Sequence, residues 1–183
     1  MTFTRRHAPH WDPGAAPLFI TWRLFGSLPG AVPQEVKRVS AGRAFVVADR
    51  ELDRAASGPV WLKDPVIAQC VVDALRYGES HLKLYKLEAF VVMANHVHVL
   101  LYPDAALPRI TKAIKNFTAR QANAILRRTG RPFWQQESFD HWVRNEKEFS
   151  RIVNYIEANP VAAGLVRNPE DWPWSSAAAR SVG

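Results

Sequence analysis

His96 and His98 stand one residue apart in Ala89-Phe90-Val91-Val92-Met93-Ala94-Asn95-His96-Val97-His98-Val99-Leu100-Leu101-Tyr102, a run that otherwise reads as β-strand. Alternate side chains of a strand share a face, so both imidazoles point one way while Val97 and Val99 point the other. Two imidazoles aimed at one spot make half a metal site. Donors able to complete it lie downstream in Val153-Asn154-Tyr155-Ile156-Glu157-Ala158-Asn159-Pro160, where helical spacing stacks Tyr155 against Asn159 one turn later. Two imidazoles, an amide oxygen and a phenol hydroxyl suggest a metal-assisted phosphoryl transfer with tyrosine as the nucleophile. Plainer roles compete at each position. The histidines can bond to a neighbouring helix, Tyr155 can pack a helix with its hydroxyl in water, and Asn159 can cap a helix before proline.

The elements that must position these groups follow from periodicity. Leu18 to Phe25, aromatic and β-branched between Pro17 and Gly26, reads as a strand. A polar helix is expected from Gln34 to about Ala55, ended by Ala56-Ser57-Gly58-Pro59. Asp64 and Pro65 open a second helix as N-cap and first helical residue, and Val66, Ile67, Cys70, Val71 and Leu75 keep its spacing to about Gly78. His81 to Met93 and Asn95 to Tyr102 are two extended runs, most simply an antiparallel pair. Ile110, Ala113, Ile114, Phe117, Ala124 and Ile125 mark one face of a long helix over Leu107 to Arg128. Phe133 to Val143 holds another strand, and Phe149, Ile152, Val153 and Ile156 set a last helix from Glu146, expected to end at Asn159 because Pro160 disfavours helical backbone there. After Gly164 an irregular tail packed by tryptophans is expected.

This order predicts an α+β fold, a ferredoxin-like sandwich: an antiparallel sheet with helices on one face, the histidines on its open face, an extra helix near the N-terminus and an irregular C-terminal tail. With 183 residues, 48% of them hydrophobic, the chain is expected to form a single domain over residues 1–183.

Charge narrows the partners. A formal charge of +7 favours a polyanion, although an anionic membrane surface would also attract it. No apolar run approaches the roughly 20 residues needed to cross a bilayer. Met1 to His7 is basic with no apolar stretch behind it, and the one cysteine, Cys70, allows neither an internal disulfide nor a cysteine zinc cluster. The expected compartment is the cytoplasm. The helix over Leu107 to Arg128 carries Arg109, Lys112, Lys115, Asn116, Arg120 and no Asp or Glu, so its cations have no acidic partners on that helix and suit phosphate contact. His7, His10 and His81 read as surface residues. Asp140 and His141 point to opposite faces of their strand and read as structural. Two rivals to the tyrosine chemistry remain at this point. One is a non-catalytic sheet binding single-stranded nucleic acid through Phe90, Tyr102 and the basic helix; the other is a phosphoesterase that uses water, with Tyr155 dispensable.

Three motifs then act together. Met93-Ala94-Asn95-His96-Val97-His98-Val99-Leu100-Leu101, Phe133-Trp134-Gln135-Gln136-Glu137-Ser138-Phe139-Asp140-His141-Trp142-Val143-Arg144 and Tyr155-Ile156-Glu157-Ala158-Asn159-Pro160-Val161-Ala162-Ala163-Gly164-Leu165-Val166 resemble, in order, the signatures of the REP-associated tyrosine transposases, a group of the histidine-hydrophobe-histidine single-strand DNA transposases. Ala94 stands where that pattern commonly has proline. The resemblance implies His96 and His98 as metal ligands, Asn159 as a third ligand, Tyr155 as the nucleophile, and hairpin-forming single-stranded DNA as the substrate of a monomer or homodimer. The implied chemistry is endonuclease and strand transfer through a 5′-phosphotyrosine, with Mg2+ or Mn2+ suited to an oxygen-rich phosphate site.

Overall fold

A computed structural model describes residues 16–27, 52 and 58–181. Four antiparallel strands, β1 (Leu18–Arg23), β2 (Tyr85–Val92), β3 (His96–Pro103) and β4 (Phe139–Trp142), form one sheet in the order β2-β3-β1-β4. The intervening helices are α1 (Pro65–Ser80) and α2 (Leu107–Ile125), and α3 (Glu146–Ala162) and α4 (Ser176–Ser181) follow the last strand. This is the ferredoxin-like α+β arrangement. The expected helix over residues 34–55 lies outside the described residues, Leu52 apart.

Helices cover both faces of the sheet, which corrects the expectation of helices on one face. On one side Leu18, Ile20 and Trp22 of β1 and Val97, Val99 and Leu101 of β3 pack with Ile67, Val71, Leu75, Ile110 and Ile114 of α1 and α2. On the other, Phe19, Ala89, Val91, Leu100 and Tyr102 pack under Phe149, Val153 and Ile156 of α3. The reason lies in the strands: their alternate positions are apolar on both faces, and a face carrying Phe19, Leu100 and Tyr102 cannot be left to water. The face expected to be open is therefore partly roofed by the helix that brings Tyr155.

Helix boundaries follow from local chemistry. Asp64 accepts a hydrogen bond from the Val66 N–H at 2.9 Å ahead of Pro65, and Asn145 accepts one from the Glu148 N–H at 2.9 Å to start α3. The expected end of α3 at Asn159 is corrected: the helix runs through Pro160 to Ala162. It closes in a Schellman motif, with the Leu165 N–H on the Pro160 carbonyl, the Gly164 N–H on the Val161 carbonyl and Gly164 at φ 70°. Asn159 therefore lies inside the helix and is not its cap.

The segment after Gly164 is also more ordered than expected. It forms a 3-10 turn over Pro169–Asp171 and the short α4, and it is tied to the β2 edge. Trp172 Nε1 donates to the Val92 carbonyl, the Val92 N–H to the Trp174 carbonyl, and the Phe90 N–H to Ser176 Oγ. Ser176 Oγ in turn donates to Glu157 of α3 at 2.7 Å, so the tail fastens the sheet edge to that helix.

Gly78 makes the α1–β2 contact possible. The Tyr85 hydroxyl, buried beneath α1, donates to the Leu75 carbonyl at 2.7 Å, and a β-carbon at Gly78 would land on the Tyr85 ring and hydroxyl. A helical Gly→Ala change ordinarily gains up to about 1 kcal/mol. Here overpacking should outweigh that gain, and Gly78→Ala is expected to destabilise the fold by about 1–3 kcal/mol in chemical denaturation.

Candidate active site

The antiparallel register places Thr21 of β1 opposite His98 and Arg23 opposite His96. Directly paired residues project to the same face, so β1 supplies the neighbours of both imidazoles. His96 and His98 are fully buried, and their Nε2 atoms lie 3.1 Å apart. His98 Nδ1 is 2.6 Å from Thr21 Oγ1, and His96 Nδ1 is 2.8 Å from Asn95 Oδ1.

Tyr155 comes to this pair from α3. Its ring centroid is 5.5 Å from that of His98 and 6.3 Å from that of Phe19, and Phe19 stacks on His98 at 5.6 Å. Phe19 thus touches both the histidine and the tyrosine. Tyr155 is 38% exposed, so the aromatic that closes the cluster also faces solvent. One turn on, Asn159 is buried, and its Oδ1 is a buried oxygen with no hydrogen-bond partner. An orphaned buried acceptor costs about 1–3 kcal/mol and calls for a reason.

A divalent cation held there would supply one. The two Nε2 atoms, 3.1 Å apart, stand close enough together for one cation to take both. Among the described residues no cluster of three or more His, Cys, Asp or Glu is present, so a cation held by the imidazoles would draw its remaining protein donors from neutral oxygens, of which the unpartnered Asn159 Oδ1 is a candidate. Two imidazoles and a carboxamide oxygen are donors that a divalent cation accepts.

Arg109, Lys112, Asn116 and Arg120 are exposed on α2, across the sheet from the histidines. Lys115 is partly buried and makes contacts within the protein. Its ammonium donates to the carbonyls of Gln135 and Gln136 at 2.7 and 2.9 Å and lies 3.3 Å from Ser138 Oγ. Burial lowers its pKa from the ordinary lysine value, against the opposing pull of Glu137. Lys115 pins the loop ahead of β4, and that loop reaches the site end of the sheet, where the Gln135 N–H bonds to the Arg23 carbonyl. Lys112, Lys115, Asn116, Arg131, Gln135 and Gln136 line a groove between α2 and this loop.

Three site residues escaped the sequence reading. Asn95 sits beside the histidines and carried a readable signal, an amide next to a metal-type pair. Thr21 and Arg23 carried none, because they reach the histidines across 77 and 73 positions of chain through strand pairing alone. Burial lowers the Arg23 pKa, with Glu137 pulling the other way. Asp140 and His141 do point to opposite faces. His141, paired with Phe19, bonds to Glu148 at 3.0 Å and fastens β4 to α3. Burial pushes the Glu148 carboxyl up, but hydrogen bonds from the Arg144 N–H and His141 more than offset it, leaving its pKa below the usual carboxylate value.

Residues 74–159, from within α1 to Asn159, match the family described as Transposase IS200 like. A REP-associated tyrosine transposase of Escherichia coli K12 is 30% identical over 96 residues, covering 50% of this chain and 54% of that protein. Over this region the chain is similar to the REP-associated tyrosine transposases. A Haemophilus influenzae relative is 30% identical over 105 residues, which is 50% of this chain and 58% of that one. The chain thus spans a little over half the length of these curated relatives. A solved REP-associated tyrosine transposase bound to a REP hairpin shares the fold, with a TM-score of 0.55 at 20% identity over 96% of this chain and 82% of that one. The family match ends at Asn159 and contains all four residues singled out for metal and nucleophile.

Because the Asn159 oxygen is an unpaired burden in the metal-free protein, Asn159→Leu is expected to keep or raise thermal stability while lowering Mn2+ affinity. Loss of stability with unchanged Mn2+ binding, read by calorimetric titration, would mean that the amide serves packing alone.

Proposed function

We propose that this chain is a single-strand DNA endonuclease and strand transferase of the tyrosine transposase type, acting on hairpin-forming DNA. The observation that carries the reading is the convergence of an exposed tyrosine on a buried imidazole pair, with an unpartnered amide oxygen on the next turn of the same helix.

His96 Nε2, His98 Nε2 and Asn159 Oδ1 would hold Mg2+ or Mn2+, which when bound polarises a non-bridging oxygen of the scissile phosphate. Tyr155 Oη attacks phosphorus in line, and the bond from phosphorus to O3′ breaks. The phenol proton leaves to solvent or a nearby base, and the departing 3′ oxygen takes up a proton. The products are a 5′-phosphotyrosine and a free 3′-hydroxyl. Since the new ester retains the phosphodiester bond energy, a 3′-hydroxyl of another strand can reverse the step and join DNA without ATP. Phe19, against both Tyr155 and His98, restricts where the phenol can swing, and a fixed approach is the main requirement of such a displacement.

For the DNA path, Arg109, Lys112, Asn116 and Arg120 would hold phosphates along α2. The groove beside Gln135 and Gln136 then leads the strand round the β4 edge towards Arg23 and the histidines. In this reading Lys115, which also lines the groove, keeps its wall in place. A water-using phosphoesterase is less well supported, because it gives no reason for the tyrosine to pack on the imidazole pair.

Tyr155→Phe is expected to bind hairpin DNA and Mn2+ as the parent does but to lose cleavage and the covalent adduct, and His96→Ala or His98→Ala to lose cleavage with the fold retained. Denaturing gels and peptide mapping decide: a nucleotide on Tyr77, Tyr85 or Tyr102, or robust nicking by Tyr155→Phe, would assign the nucleophile elsewhere. Neutralising Arg109, Lys112 and Arg120 together should weaken single-stranded DNA binding and flatten the slope of log affinity against log salt by about 2. An unchanged slope would show that the DNA does not follow α2.

A further inference from the structure

Asn95 lies fully buried in the turn between β2 and β3, and its carboxamide spans two groups. Nδ2 donates to the Leu52 carbonyl at 3.0 Å, and Oδ1 faces His96 Nδ1 at 2.8 Å. A peptide carbonyl can only accept, so the amide nitrogen must face Leu52 and its oxygen must face the ring. That oxygen also can only accept. His96 Nδ1 therefore carries a proton, and in the neutral imidazole Nε2 is left as a bare lone pair aimed at His98.

His98 is held by a partner of a different kind. The Thr21 hydroxyl, 2.6 Å from His98 Nδ1, can donate or accept. With His96 Nε2 an acceptor, the 3.1 Å contact between the two rings needs a proton on His98 Nε2, and Thr21 then donates to Nδ1. A cation between the rings needs the reverse, with both Nε2 atoms bare.

We propose that Asn95 and Thr21 are the positioning residues of the metal site: Asn95 presets His96 as a ligand, and Thr21 lets His98 exchange tautomers when a divalent cation arrives. The inference rests on reading the pair as a metal site. On binding, His98 loses the Nε2 proton to solvent and gains one at Nδ1, with no net change in protons, while the Thr21 hydroxyl turns from donor to acceptor. Partners of this kind set the orientation of ligating imidazoles and typically change metal affinity 10–100-fold when removed. Valine at position 21 matches threonine in shape but can neither donate nor accept, whereas serine keeps both abilities.

Long-range 1H–15N spectra of the protein with 15N-labelled histidine rings read the tautomers directly, first metal-free and then with Mg2+. His96 should carry its proton on Nδ1 throughout, and His98 should move its proton from Nε2 to Nδ1 as Mg2+ saturates. A His96 ring protonated at Nε2 in the metal-free protein would overturn the proposal without needing any variant to fold. Mn2+ affinity, read by electron paramagnetic resonance, should fall roughly 10–100-fold in Asn95→Ala and Thr21→Val and recover in Thr21→Ser. Mn2+ binding of unchanged affinity in folded Thr21→Val would sink the positioning role and leave the metal site standing. No Mn2+ binding by the unaltered protein would instead remove the metal reading itself, and the tautomer exchange with it.

Discussion

The pairing register of β1 on β3 is the constraint on which the site depends. With Thr21 opposite His98 and Arg23 opposite His96, the central strands put two imidazoles, a hydroxyl and a guanidinium at one end of one face. A slip of one residue would turn Phe19 and Thr21 to the other face and offer Ile20 and Trp22 to the histidines. Burial on both sides of the sheet prevents it. Leu18, Ile20 and Trp22 are held in the layer under α1 and α2, and Phe19 in the layer under α3, so neither set can change sides without exposing apolar area. The polar site is held in place by the apolar residues that alternate with it.

The helix above the site is governed as closely. Asn145 caps its start, His141 of β4 bonds to Glu148 in its first turn, Phe149, Val153 and Ile156 bury one stripe, and Ser176 of the tail reaches Glu157. Between these attachments Tyr155 is held against His98, and Asn159 lies buried one turn further on. A tyrosine fixed on a rigid helix loses little freedom when a phosphate arrives, which suits a displacement whose rate depends on approach more than on any strong base. Proline at position 160 does not end this helix, because a missing N–H near the terminus forfeits a single bond and the Schellman closure satisfies the carbonyls that follow.

Charge on α2 separates into two uses. Arg109, Lys112 and Arg120 stay in solvent, where the proposed contact with a polyanion would act through counterion release. Lys115, one turn from Lys112 on the same helix, is half-buried and satisfied by backbone carbonyls. Spacing on the helix does not distinguish them. The difference arises from the loop of Gln135 to Ser138, which folds over one lysine and leaves its neighbours in water.

Several things were legible in the sequence by itself. Alternation in β3 put His96 and His98 on one face, helical spacing put Tyr155 over Asn159, and the order of elements indicated a ferredoxin-like sheet. Each of these is a local property, decided by the period of a strand or a helix. The tertiary structure alone decided what depends on residues distant in the chain. Thr21 and Arg23 came to the histidines by strand pairing, Phe19 came against both His98 and Tyr155, α3 roofed the face expected to be open, and Lys115 was bonded to the loop ahead of β4. Periodicity says which residues share a face, but not which element will cover it. That choice is made by the competition of all the apolar faces for burial, and no single segment of sequence contains it.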